Sequence, residues 1–184
     1  MIERRPEWPP RLARLISVVA HPLILSPLTV AAASRNWRWT LVVAAATIVP
    51  LSAVILWKMH RGVWSDFDVT RRDQRSGLYT VALPLFAAAA LFLPEPGLRG
   101  AMISLLVVLL IAFFASRWLQ TSLHMLFAAF NAVILWRVYP WSPLVMLPLG
   151  AALAWARLRL RHHTPPELAA GTILGLAAGI YTIS

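Results

Sequence analysis

Seven mostly apolar stretches, at 15–33, 39–57, 78–93, 101–118, 123–138, 143–156 and 168–183, follow one another with only short polar interruptions. A helix crosses the hydrocarbon core of a bilayer with about 20 apolar residues, within a range of about 17–25. The expected fold is therefore all-α, a polytopic transmembrane helical bundle of six to seven spans. The shortest stretches are expected to be bordered by snorkelling Arg. Composition agrees: 59% of the residues are hydrophobic and 13% charged, against about 45–50% and about 25% in a soluble domain. No polar block is long enough for a second domain, so residues 1–184 form a single membrane domain.

The formal net charge of +10 arises from 17 Lys and Arg against 7 Asp and Glu. These basic residues sit between apolar segments, whereas a nucleic-acid binder needs a continuous basic face on a soluble module. The partners expected from this are membrane lipids and their anionic headgroups, not nucleic acid. No cysteine is present, which excludes disulfides and thiolate metal sites. Arg4, Arg5, Arg11 and Arg14 precede the first apolar stretch. No convincing small-residue cleavage site follows them, so that stretch reads as the first span.

Trp37, Trp39, Trp57, Trp64, Trp118, Trp136, Tyr139, Trp141 and Trp155 cluster at the span edges, as an interfacial aromatic belt does. Pro22, Pro27, Pro50, Pro84 and Pro148 fall inside spans and are expected to kink them. Thirteen Lys and Arg lie in the N-terminal segment, the 58–77 connection, Arg117 and the 157–167 connection; Arg35, Arg38, Arg99 and Arg137 make up the opposite face. That bias predicts that the N-terminus and the 58–77 and 157–167 connections are cytoplasmic; the membrane expected is a bacterial inner membrane.

Ionisable groups are expensive in a bilayer, so their clusters mark candidate sites. Three connections stand out. The first, at 65–75, reads Ser-Asp-Phe-Asp-Val-Thr-Arg-Arg-Asp-Gln-Arg; the second is Thr121-Ser122-Leu123-His124; the third, at 156–167, carries Arg157, Arg159, Arg161, His162, His163 and Glu167. Two spans separate each from the next, so all three are expected on one face. Together they bring guanidinium donors for phosphate oxygens and imidazoles able to act as nucleophile or proton donor near neutral pH. Asp66, Asp68 and Asp73 suggest a Mg²⁺-diphosphate site of the prenyltransferase kind, but the chain has no second Asp-rich motif to complete one. His21 and His60 remain without a role, and His162 reads as a neighbour of the nucleophile.

These connections resemble the motifs of the type 2 phosphatidic acid phosphatases, relatives of bacterial acid phosphatases and vanadium haloperoxidases. Arg157, five residues, His163, three residues and Glu167 resemble that family's last motif, with Thr164, Pro165 and Gly171 extending the likeness. Ser122 and His124 resemble its Pro-Ser-Gly-His motif, and Arg75, with Arg72 one turn earlier, the Arg end of its first. The likeness covers residues 60–175. Asp68 stands where the family has Lys, Ser76 and Thr121 where it has Pro, Leu123 where it has Gly, Ala156 where it has Ser and Glu167 where it has Asp. In this the chain is similar to divergent branches with an Asp/Arg-rich first motif and Ser-Leu-His in the second.

The resemblance implies hydrolysis of a lipid-linked phosphate or diphosphate, prenyl or glycerolipid, without metal or other cofactor. His163 would be the nucleophile forming a phospho-histidine, Glu167 would hold its other ring nitrogen, and His124 would be the acid and then the base. Arg157 and Arg75, with Arg72 in place of the missing Lys, would bind the phosphoryl oxygens, and Ser122 would add a donor at a helix start. A lipid-phosphate binder or carrier without turnover, and a lipid phosphotransferase, are the alternatives.

Overall fold

In the computed structural model, residues 10–34 and 36–184 are described; Arg4, Arg5 and Arg35, counted above for sidedness, lie outside them. The described residues form helices and connections and no strand. In chain order the helices are α1 (Pro10–Val19), α2 (Pro22–Ser34), α3 (Trp37–Val43), α4 (Val49–His60), α5 (Arg72–Phe92), α6 (Pro96–Ala115), α7 (Leu123–Val138), α8 (Pro143–Arg159) and α9 (Pro165–Ile183). A widened π turn, Ala44–Ile48, joins α3 to α4 in one 24-residue rod.

Local chemistry sets these boundaries. Asn36, Glu95 and Ser122 accept the orphan N–H groups of Arg38, Leu98 and Met125 at the starts of α3, α6 and α7. Thr164 and Glu167 form a reciprocal capping box at α9, whose first turn also holds Pro165 and Pro166. The stretch expected as one span at 15–33 is two helices that meet at Pro22, where a kink was expected. Pro22 has no N–H and disfavours helix at His21, and α1 meets α2 at 41°. Pro50 does not break its rod. The π turn just before it absorbs the missing donor, and Thr47 Oγ1 donates to the Val43 carbonyl at 2.7 Å.

Among the described residues, four helical rods are long and apolar enough to cross a membrane: Trp37–His60, Arg72–Phe92, Pro96–Ala115 and Pro165–Ile183. The bent pair α1–α2 makes up to five. α7 and α8 are shorter, with 16 and 17 residues, or about 24–26 Å at 1.5 Å per residue. Large apolar side chains such as Leu91, Phe92, Leu144 and Ile173 point outward, as a lipid-facing surface requires. Trp64 departs from the belt pattern: it is buried, with the Lys58 ammonium 4.8 Å from its ring centre.

The tightest packing joins α7 to α9. Gly171, Gly175 and Gly179 recur every four residues on one face of α9, and a Cβ there would run into the Ser122 carbonyl, the Leu126 carbonyl and the Val133 side chain respectively. With lipid tails as apolar as the helices, close backbone approach is what drives association. Beside this pair, α5 and α6 pack through Tyr79, Phe86, Leu105 and Leu109. The α3–α4 rod stands apart, with 17% of its most apolar window buried. Between it and the bundle lies a largely apolar cavity of about 450 Å³.

Gly175→Ala should destabilise the bundle by about 1–3 kcal/mol through overpacking, whereas Gly150→Ala, with open space around it, should change little. Equilibrium unfolding in mixed micelles measures both.

Candidate functional site

Helix direction alternates from α5 to α9, so the start of α5, the end of α6, the start of α7, the end of α8 and the start of α9 meet at one end of the bundle. Cross-connection bonds pin them. Gln120 donates to the Thr70 carbonyl at 2.8 Å, Arg75 Nη1 to the Thr121 carbonyl at 2.8 Å, and the Ser122 N–H to the Glu167 carbonyl at 3.1 Å. All three connections singled out in the sequence therefore come together.

His163 is buried, and its Nδ1 lies 3.1 Å from Glu167 Oε2. A carboxylate only accepts, so Nδ1 carries the proton and Nε2 keeps its lone pair. The same Oε2 accepts the Thr164 N–H at 3.0 Å, so the helix cap that starts α9 also orients the imidazole. Arg157, 1% exposed, ends α8 with Nη1 on Ser17 Oγ at 2.7 Å and on Asp68 Oδ2. Arg75 and His124 are buried as well.

Buried polar atoms without a partner among the described residues concentrate here: Arg75 Nε, Arg157 Nε, His124 Nε2, His162 Nδ1 and His163 Nε2. Each such group costs about 1–3 kcal/mol, more when charged, and so many at one end of a bundle point to a polar ligand. Backbone strain flanks the same place. Val69, just after Asp68, and Arg161, just before His162, hold φ of 47° and 55°, a left-handed conformation that costs non-glycine residues about 1–3 kcal/mol and persists where surroundings enforce it.

Two of the residues expected to hold the phosphoryl group have other engagements. Arg72 donates to the carbonyls of Ser116 and Arg117 at 3.0 and 2.6 Å, closing the end of α6; it is not among the converging groups. The Ser122 hydroxyl caps α7, 3.5 Å from the Met125 N–H.

Two residues to which the motifs assign no role occupy the centre. Asp68 Oδ1 lies 3.4 Å from His21 Nε2 and 3.8 Å from His124 Nε2, and Oδ2 lies 3.9 Å from His162 Nδ1. Burial raises the Asp68 pKa, but the His21 hydrogen bond and the charges of His124 and Arg157 outweigh it and hold the carboxyl well below its ordinary range. The pairing with Arg157 spans 89 residues of sequence, and His21 sits at the α1–α2 break; spacing announces neither.

The ligating atoms of His21, Asp68 and His124 lie within 4.8 Å of one another, a set with the composition of a metal site. The tautomer of His21 opposes it. The Leu23 N–H donates to His21 Nδ1 at 3.2 Å, so Nε2 bears the proton facing Asp68 and has no lone pair for a cation. The guanidinium on the other carboxylate oxygen adds repulsion. The group reads better as a hydrogen-bonded anchor for Asp68.

No family model, curated protein or solved structure matches the chain.

The α8–α9 turn makes stability depend on pH. Burial first, then the charges of Arg75 and Arg157, lower the His163 pKa; burial and Arg157 lower that of His162. Unfolding restores imidazoles that protonate near pH ~6.5. Below that pH the unfolded chain binds more protons, so stability should decrease as pH falls from about 7 to about 5. The double variant His162→Gln/His163→Gln should lose part of that decrease in unfolding curves.

Proposed function

We propose that the chain is an integral membrane lipid phosphatase of the type 2 phosphatidic acid phosphatase kind, hydrolysing a lipid-linked phosphate or diphosphate through a phospho-histidine at His163. The observation that carries the reading is the group of unpartnered buried atoms on Arg75, His124, Arg157 and His163, beside a His163 ring whose tautomer leaves Nε2 free to attack.

In this mechanism His163 Nε2 attacks phosphorus, and Glu167 holds Nδ1–H and stabilises the imidazolium that forms. Arg75 and Arg157 bind the equatorial oxygens, where charge spreads in the transition state. His124 gives a proton to the departing oxygen, then takes one from the water that cleaves the phosphorus–nitrogen bond and releases phosphate. No metal is needed. The cavity supports a lipid substrate: His21, Asp68 and His124 line one end, and apolar residues such as Leu51, Phe86 and Leu105 line its length toward Asn36 and Glu95. A hydrocarbon chain would enter past the loosely packed α3–α4 rod. Counting the shorter α7 and α8 as spans, bordered by snorkelling Arg, gives the six to seven crossings expected from sequence. The N-terminus and site loops would face the cytoplasm of a bacterial inner membrane.

A panel of prenyl and glycerolipid phosphates, incubated with the detergent-solubilised protein, tests this by phosphate release. His163→Ala should abolish turnover and His124→Ala should slow it by about 10²–10⁴-fold. Equal rates in all three proteins would leave a binder, and label passed to an acceptor lipid would make the protein a phosphotransferase.

A further inference from the structure

A carboxylate at the centre of a site built to hold an anion needs a reason. Asp68 is not a bystander on a mobile surface. Asp66 on the same loop accepts the Thr70 N–H and hydroxyl at 3.0 and 2.8 Å, Gln120 holds the Thr70 carbonyl, and the chain pays for its path with the left-handed turn at buried Val69. That construction drives Asp68 onto Arg157 from one side while His21, fixed by the Leu23 N–H, holds its other oxygen. Asp68 also lines the cavity where it meets His124.

Among the described residues, titratable or charged groups face Asp68 from four places: His21 from the α1–α2 break, His124 from α7, Arg157 from α8 and His162 from the turn before α9. Arg75 on α5 acts at longer range. Of the two guanidinium groups buried among the described residues, that of Arg157 is already shared with a carboxylate. Glu167 is committed to His163 and Thr164, and Arg72 to the end of α6. A phosphoryl group bound at Arg157 has a fixed negative neighbour, and a second charge on it would be repelled where dielectric screening is weak.

We propose that Asp68 makes this site selective for a singly charged phosphoryl group, as carried by a phosphodiester or by a phosphomonoester that retains one proton. The proposal rests on the reading of the Arg75/Arg157/His163 cluster as a phosphoryl site and adds to it the charge of what is accepted. Asp68 is here a specificity-determining residue. It leaves the chemistry to His163 and His124.

The test measures binding of two small probes to the full chain in detergent between about pH 6.5 and about pH 8.5. Ethyl phosphate loses its second proton near pH ~6, and diethyl phosphate stays singly charged throughout. Wild-type affinity for ethyl phosphate should fall by close to tenfold per pH unit, while affinity for diethyl phosphate stays level. Asp68→Asn, which keeps an oxygen for Arg157, should flatten the ethyl phosphate profile and raise affinity at the upper pH about tenfold or more. Turnover of a lipid phosphodiester against a lipid phosphomonoester then identifies which source of the single charge is used. A wild-type ethyl phosphate profile that is level or rises with pH overturns the proposal, even should the Asn variant not fold. So does a parallel decline for both probes, which would belong to the protein's imidazoles, or a decline that survives in Asp68→Asn. If neither probe binds at any pH, the phosphoryl-site reading beneath it falls too.

Discussion

A guanidinium buried to 1% exposure, inside a chain built for lipid, is the constraint around which this molecule is arranged. An unpaired charge there would cost several kcal/mol. Arg157 is instead met by Ser17 from α1 and Asp68 from the α4–α5 connection. Satisfying it ties together segments 89 and 140 residues away in sequence. Asp68 reaches it from beside the left-handed turn at Val69, and its other oxygen meets His21 at the α1–α2 break. Only part of the guanidinium is used: Nε stays without a partner, beside other buried atoms in the same condition.

Membrane architecture and site chemistry are coupled by helix direction. Reactive groups sit at helix ends, where short connections hold them, and strict alternation gathers the ends of five helices at one mouth. The α7–α9 glycine contact sets the distance between the second and third motifs, because Gly171 abuts the Ser122 carbonyl directly. The apolar cavity then leads from this mouth along the bundle. A polar cluster at one end and a hydrocarbon-lined space behind it suit an amphiphile whose reactive group is its head.

Much of this was legible in the sequence, and the reasons differ by element. All seven apolar stretches are helical, because periodicity and length leave little choice for a run of that kind. The parity of spans between connections placed the three motifs at one end. His163 and Glu167 were legible because a separation of four residues across a helix start brings such side chains together. Motif spacing singled out Arg157, and the structure buries it beside Asp68. Length alone did not settle the spans: α7 and α8 are short, and the first stretch is bent at Pro22. Arg72 illustrates a limit of reading by analogy, since a long side chain one turn from Arg75 reaches the carbonyls of α6 instead. The sequence singled out Asp68 only as one of three loop acids and as a departure from the family's Lys, and it left His21 without a role. Their pairings with Arg157 and with each other join residues distant in sequence, and no spacing announces them.

Turnover as proposed depends on His163 as the group that takes the phosphoryl. Rapid acid-free quenching after mixing the protein with a lipid phosphate labelled on phosphorus, followed by peptide mapping, examines that bond itself. A base-stable, acid-labile label on the peptide containing His163, missing in His163→Ala, is the result the geometry predicts. Turnover without any labelled peptide, or label elsewhere with turnover intact in His163→Ala, would contradict it.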